Sequence, residues 1–174
     1  MQFKHNAQHT GDYSPVAGSN MSNGKLTWSF RTGLYVGSSP AVANGAVYVG
    51  SWDHNVYALN ATTGAVLWNY TTAGRVISSP AVANGAVYVG SWDHNVYALN
   101  AITGAKLWSF TTGWWVFSSP AVVNGVVYAG GVDDNIYAIG NATAATSYGT
   151  TPGFDVVLVF AGLVIVAYAV KAYR

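Results

Sequence analysis

Residues 38–60 read SSPAVANGAVYVGSWDHNVYALN, and residues 78–100 repeat this stretch without a change. A third, diverged copy follows at the same spacing, because Pro40, Pro80 and Pro120 stand 40 residues apart. Self-similarity at a fixed period of about 20 to 50 residues is typical of proteins built from stacked supersecondary units. The sequence therefore predicts three such units in one array.

Turn signals divide each unit into four short strands. Asn44-Gly45 and its equivalents, Asn84-Gly85 and Asn124-Gly125, tolerate the positive φ angles of a two-residue hairpin turn. In the first unit we predict strands at residues 39–43, 46–51, 55–60 and 65–70, with a hairpin tip at residues 52–54. The strands are apolar on both faces, which indicates sheets covered on both sides. Four-stranded units of roughly 40 to 45 residues are typical of a β-propeller. We therefore predict an all-β fold of four-stranded antiparallel blades over residues 25–140, preceded by an entry segment at residues 1–24.

Residues 59–68, LNATTGAVLW, resemble the tryptophan-docking motif of the quinoprotein, or PQQ-like, propeller repeat. Residues 101–108 repeat the motif, and the resemblance extends over residues 20–140. It implies that each motif tryptophan packs across an interface onto the adjacent blade. The docking residues that it implies are Trp28, Trp68, Trp108, Gly64 and Gly104. Two departures are Asn60 and Asn100, which stand where the family usually has Asp.

The number of units suggests that the ring is closed by something outside them. Propellers have about four to eight blades, whereas this chain carries three repeats. Residues 25–30 predict an isolated fourth strand, and the last unit stops after its third strand at residues 135–140. We expect a homodimer that forms a six-bladed ring, in which residues 25–30 of each copy complete the last blade of the other. A fragment of a longer propeller is an equal alternative.

The C-terminal segment lies outside the repeat. Residues 156–170 carry no charge and precede a basic end at Lys171 and Arg174. At 1.5 Å per residue such a helix covers about 23 Å, less than the roughly 30 Å hydrocarbon core of a bilayer. We favour a transmembrane helix over residues 155–174, after a linker at residues 141–154, and the alternative is a buried helix.

The motif before this segment points to the cell surface. Pro152, Gly153 and Phe154, with the apolar run and the basic end, resemble the archaeal PGF-CTERM sorting signal. The resemblance implies an archaeal surface protein that is cut near this motif and linked to a membrane lipid, with the propeller outside. Four sequons fit an exported glycoprotein: Asn20, Asn60, Asn69 and Asn141. No apolar run typical of a signal peptide follows Met1, so an upstream segment is expected.

Composition excludes several classes of function. Charged residues make up 7% of the chain and the net charge is +1, against about 25% charged residues in average soluble proteins. Such a chain has no basic stripe for binding nucleic acid. There are no cysteines and no glutamates, so thiol chemistry is absent and paired carboxylates have few candidates.

The hairpin tips carry the residues best suited to chemistry. Asp53-His54-Asn55 recurs at residues 93–95 and becomes Asp133-Asp134-Asn135 in the third unit. We favour a turn-forming role over a metal site, because Asp and Asn bond their own backbone in turns. Quinone-dependent dehydrogenases share the repeat, and the resemblance implies PQQ, a calcium ion, a catalytic Asp and usually a vicinal cysteine pair. Since this chain lacks Cys and Glu, we predict a non-enzyme without cofactor or metal, and a fragment of a PQQ-dependent oxidoreductase is the alternative.

The repeats diverge just before each innermost strand, at residues 34–37, 74–77 and 114–117. These positions are expected near the mouth of the central channel, where propellers commonly bind partners. Side chains suited to sugar or protein contacts occur there: Tyr35, Arg75, Trp114 and Trp115. The alternative is that they plug the channel or pack between blades. The sequence thus predicts a membrane-anchored binding or scaffold module for an envelope protein or glycan, with a purely architectural envelope protein as a further alternative.

Overall fold

The computed structural model describes residues 24–140 and, as backbone only, residues 159–160 and 163–164. Within these ranges the regular structure consists of strands, and no helix occurs. The chain divides into two compact units, Met1–Ile139 and Gly140–Arg174.

The first unit contains three antiparallel sheets in which each strand pairs with the next along the chain. The first sheet consists of β1 (Ala41–Ala43), β2 (Ala46–Gly50), β3 (Asn55–Asn60) and β4 (Val66–Thr71). The second consists of β5 (Ala81–Ala83), β6 (Ala86–Gly90), β7 (Asn95–Asn100) and β8 (Lys106–Thr111). The third consists of β9 (Ala121–Val123), β10 (Val126–Gly130) and β11 (Ile136–Ile139). The predicted four-stranded antiparallel units are confirmed for the first two sheets.

The hairpin between β1 and β2 follows from its two central residues. Asn44 has a φ of 50° and Gly45 a φ of 75°, the pair of positive angles that a type I′ turn requires. Ala43 therefore pairs directly with Ala46 across the turn. The Asn-Gly pairs of the other two units adopt the same geometry.

Adjacent sheets pack face to face and share their core. Val56, Trp68 and Leu99 belong to the buried cluster between the first and second sheets, and Val96 and Val127 to the cluster between the second and third. The starts of the innermost strands are joined by a ladder of serine hydrogen bonds. The backbone N–H of Ser39 donates to Ser79 Oγ at 2.8 Å, and that of Ser79 donates to Ser119 Oγ at 3.0 Å.

The strand predicted at residues 25–30, which was to complete a blade of a partner chain, stays a prediction. Residues 25–32 lie outside any described sheet of the single chain, and a strand forms only where a partner completes its ladder. Trp28 and Phe30 nevertheless pack on the first sheet, with the Phe30 ring 5.2 Å from that of Tyr57.

In the second unit the structure describes β12 (Val159–Phe160) and β13 (Leu163–Val164), which pair antiparallel. The rest of the predicted transmembrane helix lies outside the described residues, as do the linker and the sorting motif. No helix long and apolar enough to cross a bilayer is found in the described parts of the chain.

Candidate functional site

Two kinds of loop meet at one end of the sheets. The loop after the second strand of each sheet lies against the connection that enters that sheet. Trp52 N–H donates to the carbonyl of Tyr35 at 2.9 Å, and Trp92 N–H donates to that of Arg75 at 3.0 Å. Trp115 accepts the equivalent bond in the third unit. Tyr35, Arg75 and Trp115 therefore occupy one position in three successive repeats.

The side chains at these loops form a continuous group that we call the aromatic surface. Its members each have a ring or a guanidinium in contact with another member: Tyr35, Trp52, Arg75, Trp92, Trp114, Trp115 and Phe117. All four predicted ligand-contact residues belong to it.

Arg75 lies over the faces of two neighbouring indoles at the centre of this surface. Its Cζ is 4.5 Å from the ring centroid of Trp52 and 5.1 Å from that of Trp92, and the two rings are 6.0 Å apart. A guanidinium over an indole face is held by cation–π attraction. Among residues 24–140 no carboxylate forms an ion pair with Arg75. The positive charge at this point is therefore held by ring faces.

The third repeat extends the surface with stacked rings. Trp115 stacks on Trp92 at 5.3 Å with an interplanar angle of 20°, and Phe117 lies 5.1 Å from Trp92. Trp114 stacks on the imidazole of His94 at 5.2 Å. Because Trp114 and Trp115 are still exposed, part of their ring area faces solvent.

The two central indoles leave polar groups unpaired. Nε1 of Trp52 and Nε1 of Trp92 are buried and have no hydrogen-bond acceptor among the described residues. A buried donor without a partner costs about 1 to 3 kcal/mol. Both indole rings contact the Arg75 guanidinium, which carries five N–H donors and has no carboxylate partner among the described residues.

The aspartates of the hairpin tips hold the aromatic connections in place. The Asp53 carboxylate accepts bonds from the Tyr57 hydroxyl at 2.7 Å, from Gly33 N–H at 2.7 Å and from Asn55 N–H at 3.1 Å. Asp93 and Asp133 make the equivalent bonds in their units. Each aspartate therefore ties a connection to the third strand of a sheet, which is a turn-forming role.

The neighbouring histidines also serve the turn. His54 and His94 adopt positive φ angles of 71° and 69° at the tips. Within the described ranges no group of three His or Asp side chains could hold a metal ion.

Hydrogen bonding sets the protonation states of Asp53 and Tyr57. Burial raises the pKa of Asp53, but the bonds from Tyr57, Gly33 and Asn55 together bring it below its ordinary value. For Tyr57, burial and then the bond to Asp53 raise the pKa to about 12. The tyrosine therefore stays protonated as donor and the aspartate stays ionised as acceptor.

The motif tryptophans contact the next sheet. Nε1 of Trp28 donates to the Ala61 carbonyl and Nε1 of Trp68 to the Ala101 carbonyl, each at 3.0 Å. The rings lie over Gly64 and Gly104, where a Cβ would come within 2.6 and 2.7 Å of ring carbons. The half-buried Trp108 packs 5.9 Å from Tyr88, and the turn onto which its motif would dock lies beyond Gly140, outside the described residues.

The asparagine that replaces the family's Asp supports the same turn. Asn60 Oδ1 accepts bonds from the backbone N–H groups of Thr62 and Thr63, both at 2.9 Å. Among the other sequon residues, Asn69 Nδ2 donates to Asn55 Oδ1 at 3.2 Å. Asn20 and Asn141 lie outside the described residues.

Sequence reasoning missed Trp52, Trp92 and Phe117 as members of the surface. Trp52 and Trp92 lie inside the identical stretch and were not singled out. The equivalent residue in the third repeat is Val132, and this difference between the repeats was the signal that could have identified them. Phe117 lies within the diverging stretch but was not singled out.

Repeated antiparallel sheets, with Trp28 docked onto the first sheet and Trp68 of the first sheet docked onto the second, define this protein as a β-propeller of PQQ-like repeats. The family model described as outer membrane protein assembly factor BamB matches residues 14–146, and the chain belongs to this PQQ-like family.

Solved structures agree with the fold. BamB from Moraxella catarrhalis matches with a TM-score of 0.61 at 20% identity, over 67% of this chain and 38% of that one. The quinohemoprotein alcohol dehydrogenase ADHIIG from Pseudomonas putida HK5 matches with a TM-score of 0.54 at 31% identity, over 62% of this chain and 19% of that one. A europium-containing methanol dehydrogenase matches with a TM-score of 0.54 at 28% identity, over 62% of this chain and 23% of that one. This chain thus spans well under half the length of each. A comparison with curated proteins gave no match.

Proposed function

We propose that this protein is a non-catalytic binding or scaffold module that takes an envelope protein or glycan on the aromatic surface. The observation that carries the proposal is the placement of Arg75 over the faces of Trp52 and Trp92, with exposed indoles beside it. Indole faces stack on sugar rings and on protein side chains, and a central Trp and Arg are the residues most often decisive in binding. The oxygen atoms of a glycan or a carboxylate would suit the N–H donors of the Arg75 guanidinium.

The binding test uses alanine and charge variants of the surface. Trp115→Ala and Arg75→Gln are each expected to weaken binding by about 2 kcal/mol, which is roughly a 30-fold rise in Kd. Leu107→Ala and Lys106→Gln are the matched controls, because both residues are exposed on β8 and lie outside the aromatic surface. Ligands are found by screening envelope glycans and proteins, and Kd is measured by titration calorimetry. Equal Kd values for the surface and control variants would contradict the proposal and favour a purely architectural role.

We place the module at the cell surface, anchored through its C-terminus to the membrane with the propeller outside. The support is the charge-free run of residues 156–170, the basic end and the motif at residues 152–154. Fractionation of cells that express the full chain, against a chain ending at residue 150, tests the anchor. Recovery of both chains in the same fraction would contradict it.

The second candidate is an oxidoreductase, which the two dehydrogenase matches favour. The described residues do not fit the calcium ion of such enzymes, because Asp53, Asp93 and Asp133 are each bonded to their own turn. Addition of pyrroloquinoline quinone and calcium followed by a dye-reduction assay separates the two candidates. Quinone-dependent dye reduction would replace the binding proposal with the enzymatic one.

A further inference from the structure

Equivalent residues of the three sheets differ in exposure according to which side of their sheet is covered. Val42 on the first sheet is 53% exposed, whereas Val82, its equivalent on the second, is 9% exposed. At the other end of the array, Tyr128 is 42% exposed and its equivalent Tyr88 is 8% exposed. The repeat therefore presents one apolar face on the first sheet and the complementary apolar face on the third.

The third sheet also has an open edge. In the described part of the chain β11 pairs with β10 only, whereas β3 and β7 each pair on both sides. Ile136 on β11 is 84% exposed, whereas Val96 at the equivalent position is fully buried. Unpaired backbone groups along such an edge are a template for another strand.

A segment with the contacts of an outer strand lies at the opposite end of the array. Trp28 docks onto the first sheet as Trp68 docks onto the second, through the same bond of 3.0 Å. Phe30 meets Tyr57 as Tyr70 meets Tyr97 and as Phe110 meets Tyr137, at 5.2, 5.6 and 5.5 Å. Residues 26–31 belong to no sheet in the described structure, so their ladder is open.

We propose that two copies of this chain bind each other reciprocally, with residues 26–31 of each forming the fourth strand beside β11 of the other. The second sheet separates the two ends within one copy, so the matching segment comes from a second one. The register follows from the observed pairs Tyr57–Asn69 and Tyr97–Ser109. At the 40-residue spacing Tyr137 is equivalent to the two tyrosines and Ser29 to their partners, so Ser29 is placed opposite Tyr137. The apolar faces of the first and third sheets are then buried, and their burial provides the driving force.

Reciprocal pairing closes the assembly. The described residues of two copies contribute six propeller sheets, within the range of about four to eight that propellers adopt. A head-to-tail contact gives a ring when its rotation closes and an open filament when it does not. The inference is independent of the ligand proposed above, since it uses the faces and edges of the sheets and not the aromatic surface.

Cysteine cross-linking tests the pairing, since the native chain contains no cysteine. Two single variants of the full chain, Ser29→Cys and Tyr137→Cys, are mixed and oxidised. Residues paired across antiparallel strands have Cα atoms about 4.5 to 5.5 Å apart, inside the roughly 4.4 to 6.8 Å range of disulfides. We expect a disulfide-linked dimer that contains one copy of each variant.

The controls separate this pairing from collision and from misfolding. Val123→Cys replaces Tyr137→Cys in the control mixture, because Val123 is exposed on β9, three strands or about 14 Å from the proposed position of residue 29. Tyr57→Cys with Asn69→Cys in one chain reports the same geometry within the first sheet. A second mixture, Phe30→Cys with Ile136→Cys, covers the case in which loss of Tyr137 disturbs the third sheet.

The double variant Ser29→Cys/Tyr137→Cys distinguishes the modes of closure on a non-reducing gel. A discrete dimer is the expected result. An internally linked monomer would show pairing within one chain, a ladder of larger species would show an open filament, and equal cross-linking in the Val123→Cys control would show collision. Each of these three results overturns the proposal.

Discussion

Replacing Gly104 by alanine tests the contact between neighbouring sheets, and Gly85 supplies a matched control. Gly104 has a φ of 72° and Gly85 a φ of 74°, so alanine meets the same backbone penalty at both, about 1 to 2 kcal/mol. The surroundings differ, because a Cβ at Gly85 meets nothing within 4 Å, whereas one at Gly104 would lie 2.7 Å from Cδ2 of Trp68. Normal carbon contacts are about 3.5 to 4.0 Å. The Trp68 ring would have to move.

The expected difference follows from that collision. Overpacking costs about 1 to 3 kcal/mol, so Gly104→Ala should lower the free energy of unfolding by about 2 to 5 kcal/mol and Gly85→Ala by about 1 to 2 kcal/mol. Urea unfolding followed by far-UV circular dichroism measures both. In a Trp68→Ala background the two glycine variants should cost the same, since the obstacle is gone. Equal costs in the presence of Trp68 would refute the docking geometry.

Three further outcomes are expected. Trp68→Ala should lower the free energy of unfolding by about 3 to 5 kcal/mol, because its buried ring fills the space between two sheets; a loss below about 1 kcal/mol in urea unfolding would contradict this. The lowered pKa of Asp53 stabilises the protein above the unfolded-state value, and this contribution is lost as pH falls through the folded value. Asp53→Asn should therefore flatten the acid side of a stability–pH profile. An unchanged profile would argue against the hydrogen bonds to the Asp53 carboxylate. Burial and the bond to Asp53 raise the pKa of Tyr57 to about 12, so the neutral tyrosine stabilises the folded protein below its ordinary pKa of 10.0. This contribution is lost as pH rises toward 12. Tyr57→Phe should remove a late-ionising group from an absorbance titration at alkaline pH, and an unaltered titration would contradict the bond to Asp53.

Much of the fold could be predicted from local signals. The Asn-Gly pairs determine two-residue turns whatever surrounds them, so the hairpins and the span of β3 at residues 55–60 were predicted correctly. The strand predicted at residues 25–30 stays a prediction for a non-local reason. Its composition suits a strand, but a strand also needs a neighbour with free backbone groups, and no stretch of sequence reports where its neighbour lies.

The candidate site shows the same limit. The divergence of the repeats identified Arg75, Trp114 and Trp115, since variation among near-identical copies marks positions that the scaffold does not dictate. The contact of the Arg75 guanidinium with both Trp52 and Trp92 depends on the separation of two successive sheets. That separation is set by the whole interface between them and has no signature in either copy alone.

The serine ladder at residues 39, 79 and 119 has an evolutionary consequence. Ser79 accepts a bond from the unit before it and donates one to the unit after it, so every interior member has the same pair of relations. When a gene gains one whole 40-residue module, the serine of the added module can therefore form the same two hydrogen bonds with its neighbours. Growth by duplication needs no compensating substitutions at the joins, and recent copying is a natural origin for two modules that share an unaltered stretch.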